Sequence, residues 1–104
     1  MIKYHFKKEN GYIKALNVKG HALFGEYGTD IVCSAVSTAL IVTVNAIETL
    51  GYKENFYAKV EEGNFELLIY STNEVIEGLL INLEYTLNEL EAQYKTYIKN
   101  HKEG

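Results

Sequence analysis

The residue types best suited to chemistry fall in one stretch near the start of the chain, residues 20–37. It holds Cys33, which is the only cysteine, and Asp30, which is the only aspartate, together with His21. A long apolar run follows Asp30, and Thr29 and Asp30 are both residue types that cap helix N-termini. We therefore predict that Cys33 lies in the first turn of a helix. Unpaired N–H groups and the positive end of the helix dipole favour a thiolate over a thiol at such a position.

A histidine ahead of this cysteine completes the parts of a nucleophilic site. Three glycines at positions 20, 25 and 28 predict a pliable loop before the helix, since glycine adopts backbone conformations that other residues resist. His21 lies in this loop, twelve residues before Cys33, so it can fold back onto the sulfur. A thiol, an imidazole and a helix N-terminus are the parts of an acyl-transfer site.

Each of these residues also has a purely structural interpretation. Cys33 could be a small apolar side chain at a helix start, as most lone cysteines in small domains are. Asp30 could cap the helix, hold the imidazole of His21, or do both. Ser37 lies one turn after Cys33 on the same helix face, where it could donate to the thiolate or back to a carbonyl of its own helix. The residues alone leave these alternatives open.

The same stretch carries a resemblance to a known family. Gly20-His21-Ala22, followed by Gly28-x-Asp30-Ile31-Val32-Cys33-Ser34-Ala35-Val36-Ser37, resembles the signature of the ribosomal-processing cysteine protease family, Prp. The likeness extends over essentially the whole chain in length and element order. Ser34 stands where many relatives have alanine, which is a small change.

The resemblance implies a cysteine endopeptidase in which Cys33 is the nucleophile and His21 is the general base. Asp30 and Ser37 are expected to support them. Loop and substrate-binding roles are expected for Gly20, Ala22, Gly25 and Gly28. The implied substrate is the N-terminal extension of a large-subunit ribosomal protein, cut after an aromatic residue and before a small one. Family members of this kind are also expected to form homodimers.

Two other classes of protein fit the residues as well. One is a non-enzymatic binding module in ribosome assembly, in which Cys33 only packs. The other is a redox sensor, in which the thiol is oxidised instead of acylated. Rapid alkylation separates a reactive thiol from an inert one, and cleavage of a peptide that spans the extension separates a protease from both.

Composition narrows the range of partners and cofactors. The 104 residues predict one domain, 1–104, with ten lysines, no arginine and a net charge of −4. Such a chain is a poor candidate for direct nucleic-acid binding and suits a basic peptide better. A lone cysteine forms neither an internal disulfide nor a thiolate metal cluster, so no metal and no organic cofactor are implied. With no recognisable signal peptide, we expect a cytoplasmic protein.

Hydrophobic periodicity predicts an α+β fold in the order β-β-α-β-β-α, an antiparallel sheet covered by two long helices. The predicted strands are Ile2–Lys7, Tyr12–Val18, Phe56–Glu61 and Phe65–Tyr70, and the predicted helices are Ile31–Leu50 and Glu74–Lys99. Asn10-Gly11 and residues 62–64 are the expected hairpin turns. Ser71 and Glu74 suggest a capping box for the second helix.

The first predicted helix is unusually apolar. No charge occurs from Ile31 to Ile47, which is near the lower limit for a membrane span. Serine, threonine and asparagine side chains are spread through it, so we interpret it as a buried helix and not as a membrane helix. Its apolar surface exceeds what one small sheet can cover, and this surplus also favours a homodimer.

Overall fold

The chain folds into a five-stranded sheet with two long helices packed on one of its faces. The computed structural model describes residues 1–20 and 29–101, and for Thr29 and Asp30 the backbone alone. The elements are β1 (Ile2–Glu9), β2 (Tyr12–Lys19), α1 (Thr29–Ile47), β3 (Phe56–Glu61), β4 (Asn64–Ile69), α2 (Glu74–Gln93) and β5 (Ile98–Asn100). The strand order is β3-β4-β2-β1-β5. The α+β prediction is confirmed.

The strands alternate between a buried and an open face. Along β1, Ile2, Tyr4 and Phe6 are buried, whereas Lys3 and Lys7 are exposed. This period of two matches the pleat of a strand with one face on the core. The helices complete the core with residues at helical spacing. These buried helix residues are Val32, Val36, Leu40, Ile47, Ile76, Leu80, Leu83 and Leu87.

Both predicted hairpins are present. Asn10 and Gly11 have φ angles of 53° and 83°, the positive values that a two-residue turn of this kind requires. In the second hairpin Glu61 pairs directly with Asn64, so the turn is the two residues 62–63 and Asn64 already belongs to β4.

The first helix ends earlier than the sequence suggested and is less completely buried. The α-helix stops at Ile47 and continues as a π-helical turn, Glu48–Tyr52, in which Gly51 has a φ of 98°. Its outer side leaves several large apolar side chains exposed: Ile31, Ile41, Val42 and Leu50. The helices form a single layer, so no described element lies outside α1 to cover that side. The expectation that most sides of this helix are buried was therefore wrong.

The second helix begins at Glu74 as predicted, but its capping residue and its end differ from the prediction. Asn73, and not Ser71, caps its start: the Asn73 side chain accepts a hydrogen bond from the Ile76 N–H at 2.9 Å. The helix ends at Gln93, six residues before the predicted end. Residues 98–100 instead form β5, which pairs in parallel with β1, so the sheet is mixed and not wholly antiparallel.

Tyr4 links the sheet to α2 from within the core. Its side chain is 1% exposed, and its hydroxyl donates to Asn88 Oδ1 at 2.6 Å and lies 3.4 Å from Glu91 Oε1. Burial, followed by the nearby Glu91 carboxylate, raises the pKa of Tyr4 well above its usual value. The other Glu91 oxygen accepts the Asn100 N–H at 2.7 Å, so the same carboxylate holds β5 in place.

By length and composition alone, the helical stretch Ile31–Asn55 could cross a membrane, with a mean hydropathy of 1.8. Core helices of globular proteins meet the same criteria. Here Val32, Val36 and Leu40 pack into the common core with the sheet and α2. The stretch therefore has the buried stripe that a core helix needs.

Candidate active site

Cys33 lies close to the start of α1 and is partly exposed. Because α1 begins at Thr29, Cys33 is its fifth residue, immediately after the four whose N–H groups have no partner within the helix. The sequence placed Cys33 in the first turn, and the structure places it at the beginning of the second. Its own N–H is engaged in the helix. Free donors near the sulfur must therefore come from residues before it.

The Cys33 side chain is on the wall of an open cavity of about 240 Å³. α1 forms one wall, and the β3–β4 hairpin forms the other. The lining residues are Ile2, Val18, Gly20, Cys33, Val36, Ser37, Leu40, Ile41, Val60, Glu61, Glu62, Gly63, Asn64 and Phe65. Most of the floor is apolar and buried, and the two glutamates at the hairpin are exposed. An apolar cavity of about 150 Å³ accommodates benzene, so this one has room for an aromatic side chain.

Ser37 lines the same cavity one helical turn after Cys33. Within the described part of the chain, its hydroxyl has no hydrogen-bond partner. Thr43 in the same helix behaves differently, because its hydroxyl donates to the Ala39 carbonyl at 2.8 Å. Within the described residues, the Ser37 hydroxyl therefore makes no hydrogen bond to a carbonyl of its own helix. It remains able to hydrogen-bond a ligand in the cavity.

Gly20 closes the end of the cavity nearest the predicted loop. Its N–H donates to the Gly63 carbonyl at 3.1 Å, which joins the end of β2 to the β3–β4 turn. Its φ is 112°, and a Cβ at this position would lie 2.1 Å from the Met1 carbonyl oxygen. Glycine is therefore required here by backbone conformation and by space.

Several predicted site residues lie outside the described part of the chain. They are His21, Ala22, Gly25 and Gly28. Asp30 is described by its backbone, which is the second residue of α1. It thus lies within the first turn and not at the N-cap that the sequence suggested. The pairing of His21 with Cys33 and the role of the Asp30 carboxylate stay predictions.

Sequence analysis did not indicate that the β3–β4 hairpin forms half of the cavity. Val60, Glu61 and Glu62 are about thirty positions from Cys33 and belong to no motif that contains it. The link is tertiary, since α1 packs across the sheet and places Cys33 opposite the hairpin. The two strands and their turn were predicted from the sequence, but their position opposite Cys33 was not.

A partly exposed thiol on the wall of an open apolar cavity, about one turn from the N–H groups that begin α1 and have no partner within the helix, can act as a nucleophile. The same N–H groups can stabilise an oxyanion that forms near the sulfur. The cavity is open and can receive a side chain of an extended peptide. These features are those of a thiol-dependent hydrolase.

Comparison with known proteins identifies the class more closely. The family model for cysteine protease Prp matches residues 1–99. The ribosomal processing cysteine protease Prp of Staphylococcus aureus is 30% identical over 99 residues, covering 88% of each chain. Its Bacillus subtilis counterpart is 27% identical over 97 residues, covering 84% of this chain and 83% of the relative.

Solved structures agree with this result. The S. aureus Prp in complex with a substrate peptide superposes with a TM-score of 0.88 at 28% identity, covering 99% of this chain and all of that one. The same protease with a covalently linked product peptide gives 0.84 at 30% identity, covering 98% of this chain and all of that one. This chain belongs to the Prp family of cysteine proteases.

Proposed function

We propose that this protease removes the N-terminal extension of a large-subunit ribosomal protein, with Cys33 as its nucleophile. The observation that carries the proposal is the position of the Cys33 side chain on the wall of the apolar cavity. Related S. aureus structures contain a substrate peptide and a covalently linked product peptide, which support peptide cleavage. The cavity has room for the aromatic side chain expected before the scissile bond.

In the proposed reaction, His21 takes the thiol proton, and the Cys33 sulfur attacks the carbonyl carbon of the scissile bond. The tetrahedral oxyanion is held by N–H groups ahead of Cys33 at the start of α1. The C–N bond breaks as His21 returns the proton to the leaving amine. Water then hydrolyses the thioester and regenerates the thiol.

The supporting residues have more limited roles in this proposal. The Asp30 carboxylate stabilises the imidazolium of His21, and the free Ser37 hydroxyl donates to the reacting sulfur or to the bound peptide. The loop that carries Gly20, Ala22, Gly25 and Gly28 brings His21 to the site when substrate binds.

A peptide that spans the extension and the first residues of the mature protein tests the proposal directly. Cys33→Ala removes the nucleophile with little change in volume, so we expect normal folding and no cleavage. Ser34→Ala is the matched control, because Ser34 is the exposed neighbour of Cys33 and does not line the cavity. Turnover by purified Cys33→Ala protein would refute the assignment of the nucleophile. Rapid alkylation of Cys33 without cleavage would favour the redox sensor.

The acid–base assignments need a separate set of variants. His21→Ala should abolish cleavage, whereas His5→Ala, on the sheet, should leave it unchanged. Asp30→Asn should keep the melting temperature and reduce the rate moderately. Complete loss of cleavage at an unchanged melting temperature would give Asp30 a larger catalytic role, and full activity would leave it only a structural one.

We also propose a cytoplasmic homodimer. The exposed apolar side of α1, which includes Ile31 and Val42, is the support for dimerisation, since water-exposed apolar surface of this kind favours a partner. A lone thiol suits a reducing compartment. Light scattering should give a dimer at micromolar concentration for the wild type and a monomer for Val42→Glu. A monomeric wild-type protein would contradict the dimer.

A further inference from the structure

One edge of the sheet next to the Cys33 cavity is open. Within the described residues, β3 pairs with β4 and with no other strand, so its outer side carries unpaired backbone groups. The Tyr70 N–H donates to the Asn55 carbonyl at 2.8 Å, which makes Asn55 and Tyr70 a hydrogen-bonded pair. Such pairs recur at every second residue of an antiparallel ladder.

This alternation assigns the direction of each backbone group in β3. Tyr57, Lys59 and Glu61 direct their N–H and C=O groups towards β4. The intervening residues, Ala58 and Val60, direct theirs to the open edge. An incoming extended chain would therefore find donors and acceptors with the spacing of a strand.

Val60 joins this edge to the active-site cavity. It lies on the same face of β3 as Phe56, which is 8% exposed, yet Val60 is 63% exposed and lines the cavity with Cys33. The helix layer thus stops short of the end of β3. The gap exposes apolar surface at the point where the open edge meets the cavity.

We propose that the substrate peptide binds as an added strand along β3, with its backbone paired to the outward groups of Ala58 and Val60. Added strands gain affinity from backbone hydrogen bonds and specificity from alternate side chains. In this arrangement, the peptide side chains that face the helix layer of the protein enter the cavity, and the scissile bond lies next to Cys33. This inference rests on the proposed function, and it adds the conformation and position of the substrate.

The substrate peptide fits this edge better than a second copy of the chain does. The edge leads directly into the cavity that contains Cys33, so a chain bound along it reaches the nucleophile, as a substrate must. At this end of β3 the Glu61 carboxylate is paired with Lys59 at 3.6 Å, whereas the exposed Glu62 carboxylate, which also lines the cavity, adds negative charge that complements a basic peptide.

Backbone methylation of the peptide tests the proposal without altering the protein. Affinities of peptides that are N-methylated at one position at a time are measured with Cys33→Ala protein, so the peptide is not consumed. A strand on β3 predicts losses of about 10-fold or more at every second position and near-normal affinity between them. An even response along the peptide would overturn the proposal.

A pair of variants at Val60 tests the protein side of the same contact. Val60→Pro removes the outward N–H but no bond to β4, so edge-strand geometry tolerates it. Val60→Ala is the control, because it truncates the side chain and keeps the N–H. We expect kcat/KM about 10-fold lower for Val60→Pro than for Val60→Ala, at equal folding by circular dichroism.

The possible failures are distinguishable. If the wild type does not cleave the unmethylated peptide, the proposed function fails. If it cleaves the peptide, but methylation shows no alternation and the two Val60 variants are equal, only the added strand fails. If Val60→Pro does not fold, the methylated peptides alone decide.

Discussion

Gly20 gives a sharp test of how the end of β2 is fixed beside the active site. Replacing it with alanine has two consequences: a side chain at a φ of 112°, and a Cβ that would lie 2.1 Å from the backbone oxygen of Met1. Gly51 is a matched control, with a φ of 98° and no atom within 4 Å of an added Cβ. Gly51→Ala therefore measures the cost of the backbone conformation alone.

The two costs can be separated in magnitude. A left-handed backbone conformation destabilises a residue that has a side chain by roughly 1–2 kcal/mol, and this loss of stability applies to both variants. At Gly20 the Cβ must also move by more than 1 Å to reach ordinary contact with Met1, and overpacking of this kind costs about 1–3 kcal/mol more. We therefore expect Gly20→Ala to be at least about 1 kcal/mol less stable than Gly51→Ala. For a domain of this size, this corresponds to a difference of about 4 °C or more in Tm.

Urea unfolding and thermal melts of the two variants give the comparison, and cleavage of the extension peptide gives the functional readout. At a temperature where both variants are folded, Gly20→Ala should lose more of its kcat/KM. The reason is that Gly20 directly precedes His21 and contacts Gly63 and Met1 at the end of the cavity. Equal stability of the two variants would show that the Met1 segment moves aside freely, and the reasoning would then be wrong.

Two further predictions concern a buried hydroxyl and an exposed carboxylate. Tyr4→Phe should lower stability by about 1–2 kcal/mol, because it leaves Asn88 Oδ1 without its 2.6 Å donor. Because the pKa of Tyr4 is raised in the folded protein, its contribution to stability is complete below a pH of about 10 and is lost as the pH rises further. The free energy of unfolding should therefore fall less steeply above this pH in Tyr4→Phe than in the wild type. The same loss of stability at alkaline pH in both proteins would contradict this. Glu62→Gln should lower kcat/KM for a lysine-bearing peptide by about 2- to 5-fold at low salt and by less at high salt. An equal loss with a neutral peptide would show that charge is not the cause.

The elements that sequence analysis predicted correctly are those whose pattern is local. Alternation in β1 and the turn at Asn10-Gly11 depend on residues a few positions apart, and both are present in the structure. The end of α2 was missed because Tyr94 and Tyr97 continue the spacing of the helix stripe, although the helix stops at Gln93. What ends it is tertiary: Ile98 is fully buried, and the Ile2 N–H donates to the Tyr97 carbonyl at 2.8 Å.

In the candidate site, too, the features with a local sequence pattern were predicted and those that depend on tertiary packing were not. The position of Cys33 near the start of a helix followed from the apolar run and the residue types before it, although Cys33 begins the second turn and does not lie in the first. The opposite wall of the cavity could not be predicted, because nothing local connects Val60 or Glu62 to Cys33. It depends on the angle at which α1 crosses the sheet, which packing of the whole core decides.

The parallel pairing of β5 with β1 determines when this enzyme can become active during its own synthesis. Ile2 and Ile98 are register partners 96 positions apart, and Ile2 also lines the cavity of Cys33. At about 5–20 residues per second, the ribosome needs about 5–20 s to reach Ile98 after it has made Ile2. Throughout that interval β1 has an unpaired outer edge, and non-local pairings of this kind form late in folding. Every residue of the cavity is thus translated well before the strand that completes the sheet behind it, so activity should arise only after β5 has been translated.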